Sequence, residues 1–226
     1  MSVLSLIINS ASLVLTSWGV SNAVKLTLPP NLQLAGQKQF LTILGASLTI
    51  VTNVIGIGYS LLGGDGGLRF VSREVFLPAA IVLESVVATV YWPLRIFFVN
   101  MIYHGLEEGA SPEITLPVDL CIHLVPVTGL LLDYFLTKPE PFQMGRLQFW
   151  VLVTALGVGY NRWLSYIIRT DLNQSYPYPF LDVVEPYRTL IFGVITTIAW
   201  GFYVLYQTQH GDGPAGGGAV GKQKLN

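Results

Sequence analysis

The chain has 226 residues, 52% of them hydrophobic and 11% charged, with a formal net charge of −1. Soluble domains carry about 25% charged residues, so the composition excludes an ordinary soluble domain, and the lack of a basic block argues against a nucleic-acid partner. The single cysteine, Cys121, excludes an intrachain disulfide and any cysteine metal cluster.

In chain order, apolar stretches fill 3–24, 39–62, 75–102, 116–137, 147–170 and 187–208. Each reaches the roughly 20 residues that a bilayer crossing requires. Lipid offers no partner to a backbone polar group, so each stretch is expected to be a helix. The expectation is an all-α membrane protein, a six transmembrane helix bundle over 1–208, followed by a flexible Gly-rich cytosolic tail over 209–226. The N-terminus has no basic segment of the signal-peptide kind, so the first stretch is expected to stay as a helix.

The connections are short. Pro29-Pro30 stops the first helix, and Gly63-Gly64-Asp65-Gly66-Gly67 is a turn with no Lys-Ser/Thr pair to make it a phosphate loop. The next loop is acidic, with Glu107, Glu108 and Glu113. Pro139 and Pro141 mark the fourth connection, and Tyr176-Pro177-Tyr178-Pro179-Phe180 the fifth.

Six crossings put both termini on one side. With that side cytosolic, the inner segments hold Arg69, Arg73, Lys138, Arg146, Lys222 and Lys224, against Lys25, Lys38, Arg169 and Arg188 outside. This distribution favours cytosolic termini. The ending Lys222-Gln223-Lys224-Leu225-Asn226 looks like a dilysine signal for return to the endoplasmic reticulum.

Polar groups inside lipid are expensive and are therefore the functional candidates. Thr42 lies about four residues into the second stretch and His123 about seven into the fourth. Both stretches start from the same side, so at 1.5 Å per residue the two sit roughly 6 and 10 Å deep. A hydroxyl and an imidazole at similar depth could act as nucleophile and general base. The bland alternative for Thr42 is a bond back to its own helix. Asp119 is one helical turn from His123 on the same face and could fix the imidazole tautomer. It could equally be a solvated interfacial residue. Cys121 faces the other way and reads as packing. Asn53, Glu84, Arg95, Asp133, Asn161 and Arg162 are expected to form interhelical pairs. His104 and His210 do not share the depth of His123, which argues against a bis-histidine haem site.

Three runs carry a resemblance. They are Ala35-Gly36-Gln37-Lys38-Gln39-Phe40-Leu41-Thr42, Asp119-Leu120-Cys121-Ile122-His123-Leu124-Val125-Pro126, and Tyr176-Pro177-Tyr178-Pro179-Phe180-Leu181-Asp182. In order and spacing they resemble segments of the androgen-induced (AIG/ADTRP) family of six-span proteins. Members of known activity are threonine hydrolases that cleave fatty acid esters of hydroxy fatty acids with one membrane-embedded Thr and one His. The resemblance implies Thr42 and His123 in those roles. Asp119 stands where those members carry Asn, and Leu120 where they carry a further His.

The expectation from sequence is an integral membrane lipid ester hydrolase that takes its ester from the bilayer. Thr42 and His123 are catalytic and Asp119 is orienting. Tyr176 and Tyr178 are candidate pocket and oxyanion groups. No metal or cofactor is implied. Two rivals stand beside this reading. A transporter would use Glu84, Arg95 and Asp133, and a structural membrane protein would hold Thr42 and His123 in a merely cohesive contact.

Overall fold

A computed structural model describes residues 3–63, 66–104 and 114–211. Among the described residues the architecture is entirely helical. Six long helices cross back and forth: α1 Val3–Ala23, α2 Leu41–Leu62, α3 Gly67–Phe97, α4 Leu116–Thr137, α5 Arg146–Ile167 and α6 Tyr187–Gly211. By length and composition, α1, α2, α3, α4 and α6 are apolar enough to cross a membrane. α5 has the length, but Arg146, Gln148, Asn161 and Arg162 make it less apolar. α6 continues past 208 through His210, whose ring bonds the Lys138 carbonyl at 2.7 Å. The rest of the expected tail, with Lys222 and Lys224, and the acidic residues Glu107, Glu108 and Glu113 lie outside the described residues.

The bundle exposes apolar side chains, and it buries both an apolar cluster around Leu77, Ile81, Leu130, Tyr134, Phe149 and Tyr203 and a set of small and polar residues. On α1 the buried residues are Ser5, Asn9, Ser12, Thr16, Gly19 and Ala23, while Val3, Ile7, Val14 and Trp18 face outward. The spacing of three and four puts the small and polar side chains on one stripe. In lipid, tight helix contact comes from such residues rather than from burying leucine, since lipid tails are already apolar. α2 buries Thr42, Gly45, Ala46, Thr49, Thr52, Asn53, Gly56 and Ser60, of which Gly56 lies against Asn9 of α1 and Gly45 against Glu84 of α3. Asn53 donates to the Ser12 hydroxyl at 2.9 Å across the α1–α2 contact. Gly129 on α4 lets Ser12 approach so closely that a Cβ there would stand 2.6 Å from its Oγ.

Two helices are irregular because of proline. α4 breaks at Leu124, just after His123 and two residues before Pro126, whose ring nitrogen cannot donate to the helix. α3 opens with a π-helical turn over Val71–Phe76, just ahead of Pro78. That turn carries Arg73 inward.

The end of the bundle formed by the start of α1 and the finish of α4 holds an ionic network. Arg73 pairs with Asp133 at 2.5 Å, Ser5 donates to the same carboxylate at 2.6 Å, and Thr137 donates to it at 2.7 Å. Arg73, counted as a loop charge from sequence, is therefore buried in the bundle. Arg162, expected to pair inside, is instead exposed on α5. Glu84 is fully buried and accepts a bond from Thr49 at 3.1 Å.

Candidate active site

At the opposite end, the loop before α2 sets the position of Thr42. Gly36 adopts φ +63°, a left-handed conformation that side chains other than glycine's resist. Behind it, the buried Gln39 amide donates to the carbonyls of Leu32 and Gly36 at 2.8 and 2.9 Å. The Gln39 carbonyl in turn accepts a bond from Tyr160 of α5 at 2.6 Å. Phe40 is extended and α2 starts at Leu41, so Thr42 is the second residue of the helix. The first amides of a helix have no intrahelical acceptor. Here the N–H groups of Leu41 and Thr42 lie near the phenolic oxygen of Tyr178.

The Thr42 hydroxyl does not bond back to its own helix in the usual way. Its Oγ1 lies 3.2 Å from Nε2 of His123 and 3.5 Å from the Tyr178 hydroxyl. His123 is the last residue before the break in α4, and its Nδ1 lies 2.8 Å from Oδ1 of Asp119. An acceptor at Nδ1 leaves Nε2 as the unprotonated nitrogen in neutral imidazole. The ring is then set to receive the Thr42 proton. Asp119 is 1% exposed, so it is not a solvated interfacial residue.

Three groups that sequence reading did not assign to this site complete it. Tyr91 of α3 donates to Oδ1 of Asp119 at 2.6 Å and stacks on the His123 ring, with centroids 3.4 Å apart and planes 3° from parallel. Arg95, one turn further along α3, lies 3.4 Å from Oδ2 of Asp119. Tyr103 closes the chain with a 3.0 Å contact to the Tyr91 hydroxyl. Arg95 had been singled out as an intramembrane charge, but its partner was invisible, because nothing local links α3 to Asp119. Tyr91 carried no such signal, since an aromatic in an apolar helix reads as packing.

The two candidate tyrosines of the fifth connection part company. Tyr178 reaches Thr42, and loss of water contact raises its ionisation above the ordinary phenol value, so it stays an O–H donor at neutral pH. Tyr176 lines neither cavity at the site. Its ring lies under the Arg188 guanidinium, 3.7 Å from centroid to Cζ, and its hydroxyl accepts from Arg188. That guanidinium also donates to the carbonyls of Leu181 and Val183, so Tyr176 belongs to a clamp that folds the connection. Cys121 packs against Gly19 of α1, as expected from its face.

Two cavities meet at Thr42. One, of about 920 Å³, is lined by His123, Tyr91 and Tyr178 together with Asn31, Gln37 and His104 from the connections. The other, of about 310 Å³, runs between α2, α3, α5 and α6 and is almost wholly apolar. Thr42, Tyr91, Ile102 and Tyr178 line both, whereas His123 lines only the larger.

A sequence model of FAR-17a/AIG1-like proteins matches residues 4–210, which takes in all six helices and every residue of the site. The chain belongs to the FAR-17a/AIG1-like family. Among its relatives, the UPF0641 membrane protein YHR140W of Saccharomyces cerevisiae is 43% identical over 212 residues, covering 90% of this chain and 89% of the relative. The UPF0641 membrane protein PJ4664.05 of Schizosaccharomyces pombe is 24% identical over 174 residues, covering 76% and 74%. No solved structure matches the chain. The family resemblance of the three sequence runs is thus borne out, and this family member is an integral membrane protein.

Proposed function

We propose that this protein hydrolyses lipid esters within the membrane, with Thr42 as nucleophile and His123 as general base. The observation that carries the reading is the relay Asp119–His123–Thr42, with contacts of 2.8 and 3.2 Å, at the junction of two cavities. His123 takes the Thr42 proton as Oγ1 attacks the ester carbonyl, then gives it to the leaving alcohol. Asp119 holds the imidazole and stabilises its charged form, as the carboxylate of a Ser-His-Asp triad does. Tyr178, with the Leu41 and Thr42 amides behind its oxygen, supplies a donor for the oxyanion. Water activated by His123 then releases the acid.

The family resemblance points to fatty acid esters of hydroxy fatty acids as the substrate. The substrate enters sideways from the lipid. The Lys/Arg distribution supports both termini on the cytosolic side of the membrane, and we place the protein in the endoplasmic reticulum. The transporter reading loses its main residues to other partners, because Arg95 faces Asp119 and Asp133 is engaged by Arg73.

Fluorophosphonate labelling of the purified protein, with mapping of the adduct, tests the chemistry. An adduct on Thr42 that disappears in His123→Ala is the expected result. An unlabelled protein, or an adduct only elsewhere, overturns the assignment. In sealed microsomes, an epitope on the C-terminus should be digested by added protease, and its protection would invert the topology.

A further inference from the structure

The relay fixes directions as well as distances. Its base reaches into only one of the two cavities that meet at the nucleophile. In acyl transfer the leaving oxygen must lie within reach of the group that protonates it. The ester oxygen therefore points toward His123, and the alcohol portion extends into the larger, partly polar chamber. The acyl carbon is held at Thr42, so its chain extends the other way, into the apolar slot between α2, α3, α5 and α6.

Resting on the hydrolase reading above, we propose that the two cavities divide the ester between them, the slot measuring the acyl chain while the chamber accepts the alcohol portion with little regard to its length. The proton and bond balance supports this division. As the Thr42 oxygen bonds the acyl carbon, the bond to the alcohol oxygen breaks, and the Thr42 proton passes through His123 to that oxygen. The alcohol leaves through the chamber, which vacates the His123 side of the acyl-enzyme. Water enters there, its oxygen bonds the acyl carbon, and its proton returns through His123 to Thr42 as the acid is released. An acyl chain lying in the chamber would block that water. One lying in the slot does not.

The slot also has a finite length. It extends from Tyr91 to Ala79 along α3, twelve residues and so about 18 Å. An apolar cavity of about 150 Å³ holds benzene, so a slot of about 310 Å³ holds roughly a dozen carbons. Leu44 of α2 and Leu156 of α5 line it and yet are 37% and 57% exposed, so the slot is open along its side, where an acyl chain can slide in from the bilayer.

The test uses the full-length protein in lipid nanodiscs and two ester series. One varies the acyl chain on a fixed short alcohol, and the other varies the alcohol on a fixed acyl group. Turnover per KM should rise with acyl length to about a dozen carbons and fall beyond, while alcohol length changes it only a few-fold. Ala79→Phe, at the last α3 position that lines the slot, should lower the ratio of dodecanoyl to hexanoyl ester turnover about tenfold. Leu83→Ala, which enlarges the slot, should move the optimum the opposite way. Thr42-dependent hydrolysis whose length profile follows the alcohol, or is unmoved by both slot variants, overturns the division and leaves the hydrolase reading standing. Absence of any Thr42-dependent hydrolysis overturns both.

Discussion

Among the described residues, two buried carboxylates have a cationic or ionisable partner, one toward each end of the bundle, and they differ in what surrounds them. At Asp133 every contact is a donor aimed at the carboxylate: Arg73, Ser5 and Thr137. Arg73 in turn caps the Tyr59 ring, and neither cavity at Thr42 is lined by these groups. At Asp119 the contacts lead onward, through His123 to a hydroxyl that faces open space. A charge in lipid has to be paired. The first network pairs its carboxylate with donors, and the second places its carboxylate behind an imidazole, the arrangement that the proposed mechanism needs. Position in the same bundle does not separate a staple from a candidate active site; where the hydrogen-bond chain leads does.

Removing either reacting group should give the largest effect. Thr42→Ala and His123→Ala should each abolish ester hydrolysis, measured as released fatty acid, while thermal unfolding stays close to wild type. The two groups act as a unit, so the double variant should be no worse than either single one. Thr42→Ser keeps a hydroxyl and should keep some turnover. Full activity in either alanine variant breaks the comparison.

The far end should respond in the opposite sense. Asp133→Ala leaves a buried guanidinium without its counter-ion and should cost about 3–5 kcal/mol of stability. Specific activity per folded molecule should be preserved. Replacing Arg73 and Asp133 together by Met and Leu should recover much of the loss, because an apolar pair of similar volume avoids the desolvation of both charges. Denaturation monitored alongside hydrolysis distinguishes these outcomes, and lost activity in a folded Asp133 variant would join the two networks.

Tyr178→Phe removes one oxyanion donor but keeps the ring packed against Phe40 and Phe180. It should lower kcat about 100-fold with little change in KM. A rise in KM alone would make Tyr178 a substrate contact instead.

The smallest effects belong to the groups that orient His123. Tyr91→Phe keeps the stack on the imidazole and loses the bond to Asp119, which should cost about tenfold in kcat. Asp119→Asn retains an oxygen that can accept the Nδ1 proton, and family members with known activity carry Asn there. It should keep substantial activity, with normal expression. Complete loss in Asp119→Asn would show that the charge is required.

Much of this was written along the chain. Hydrophobic length alone gave the six helices, because lipid permits so few backbone solutions. α5 was legible by length although its polar residues dilute the signal. Thr42, His123 and Asp119 stood out because polar groups are scarce in such a sequence, and Asp119 and His123 are neighbours by helical period, which is a local property. What the sequence left open depends on contacts between helices. Arg73 and Arg162 looked alike as arginines near membrane helices, yet a π-helical turn carries one inward to Asp133 and the other is exposed. Tyr176 and Tyr178 are two residues apart, and only the path of the connection sends one to Arg188 and the other to Thr42. Tyr91 acquires its role solely because α3 passes beside the break in α4. Composition and period act within a segment, so one strand of text determines them. Which side chains meet depends on helix rotation and close approach, and those are settled only when all six helices pack at once.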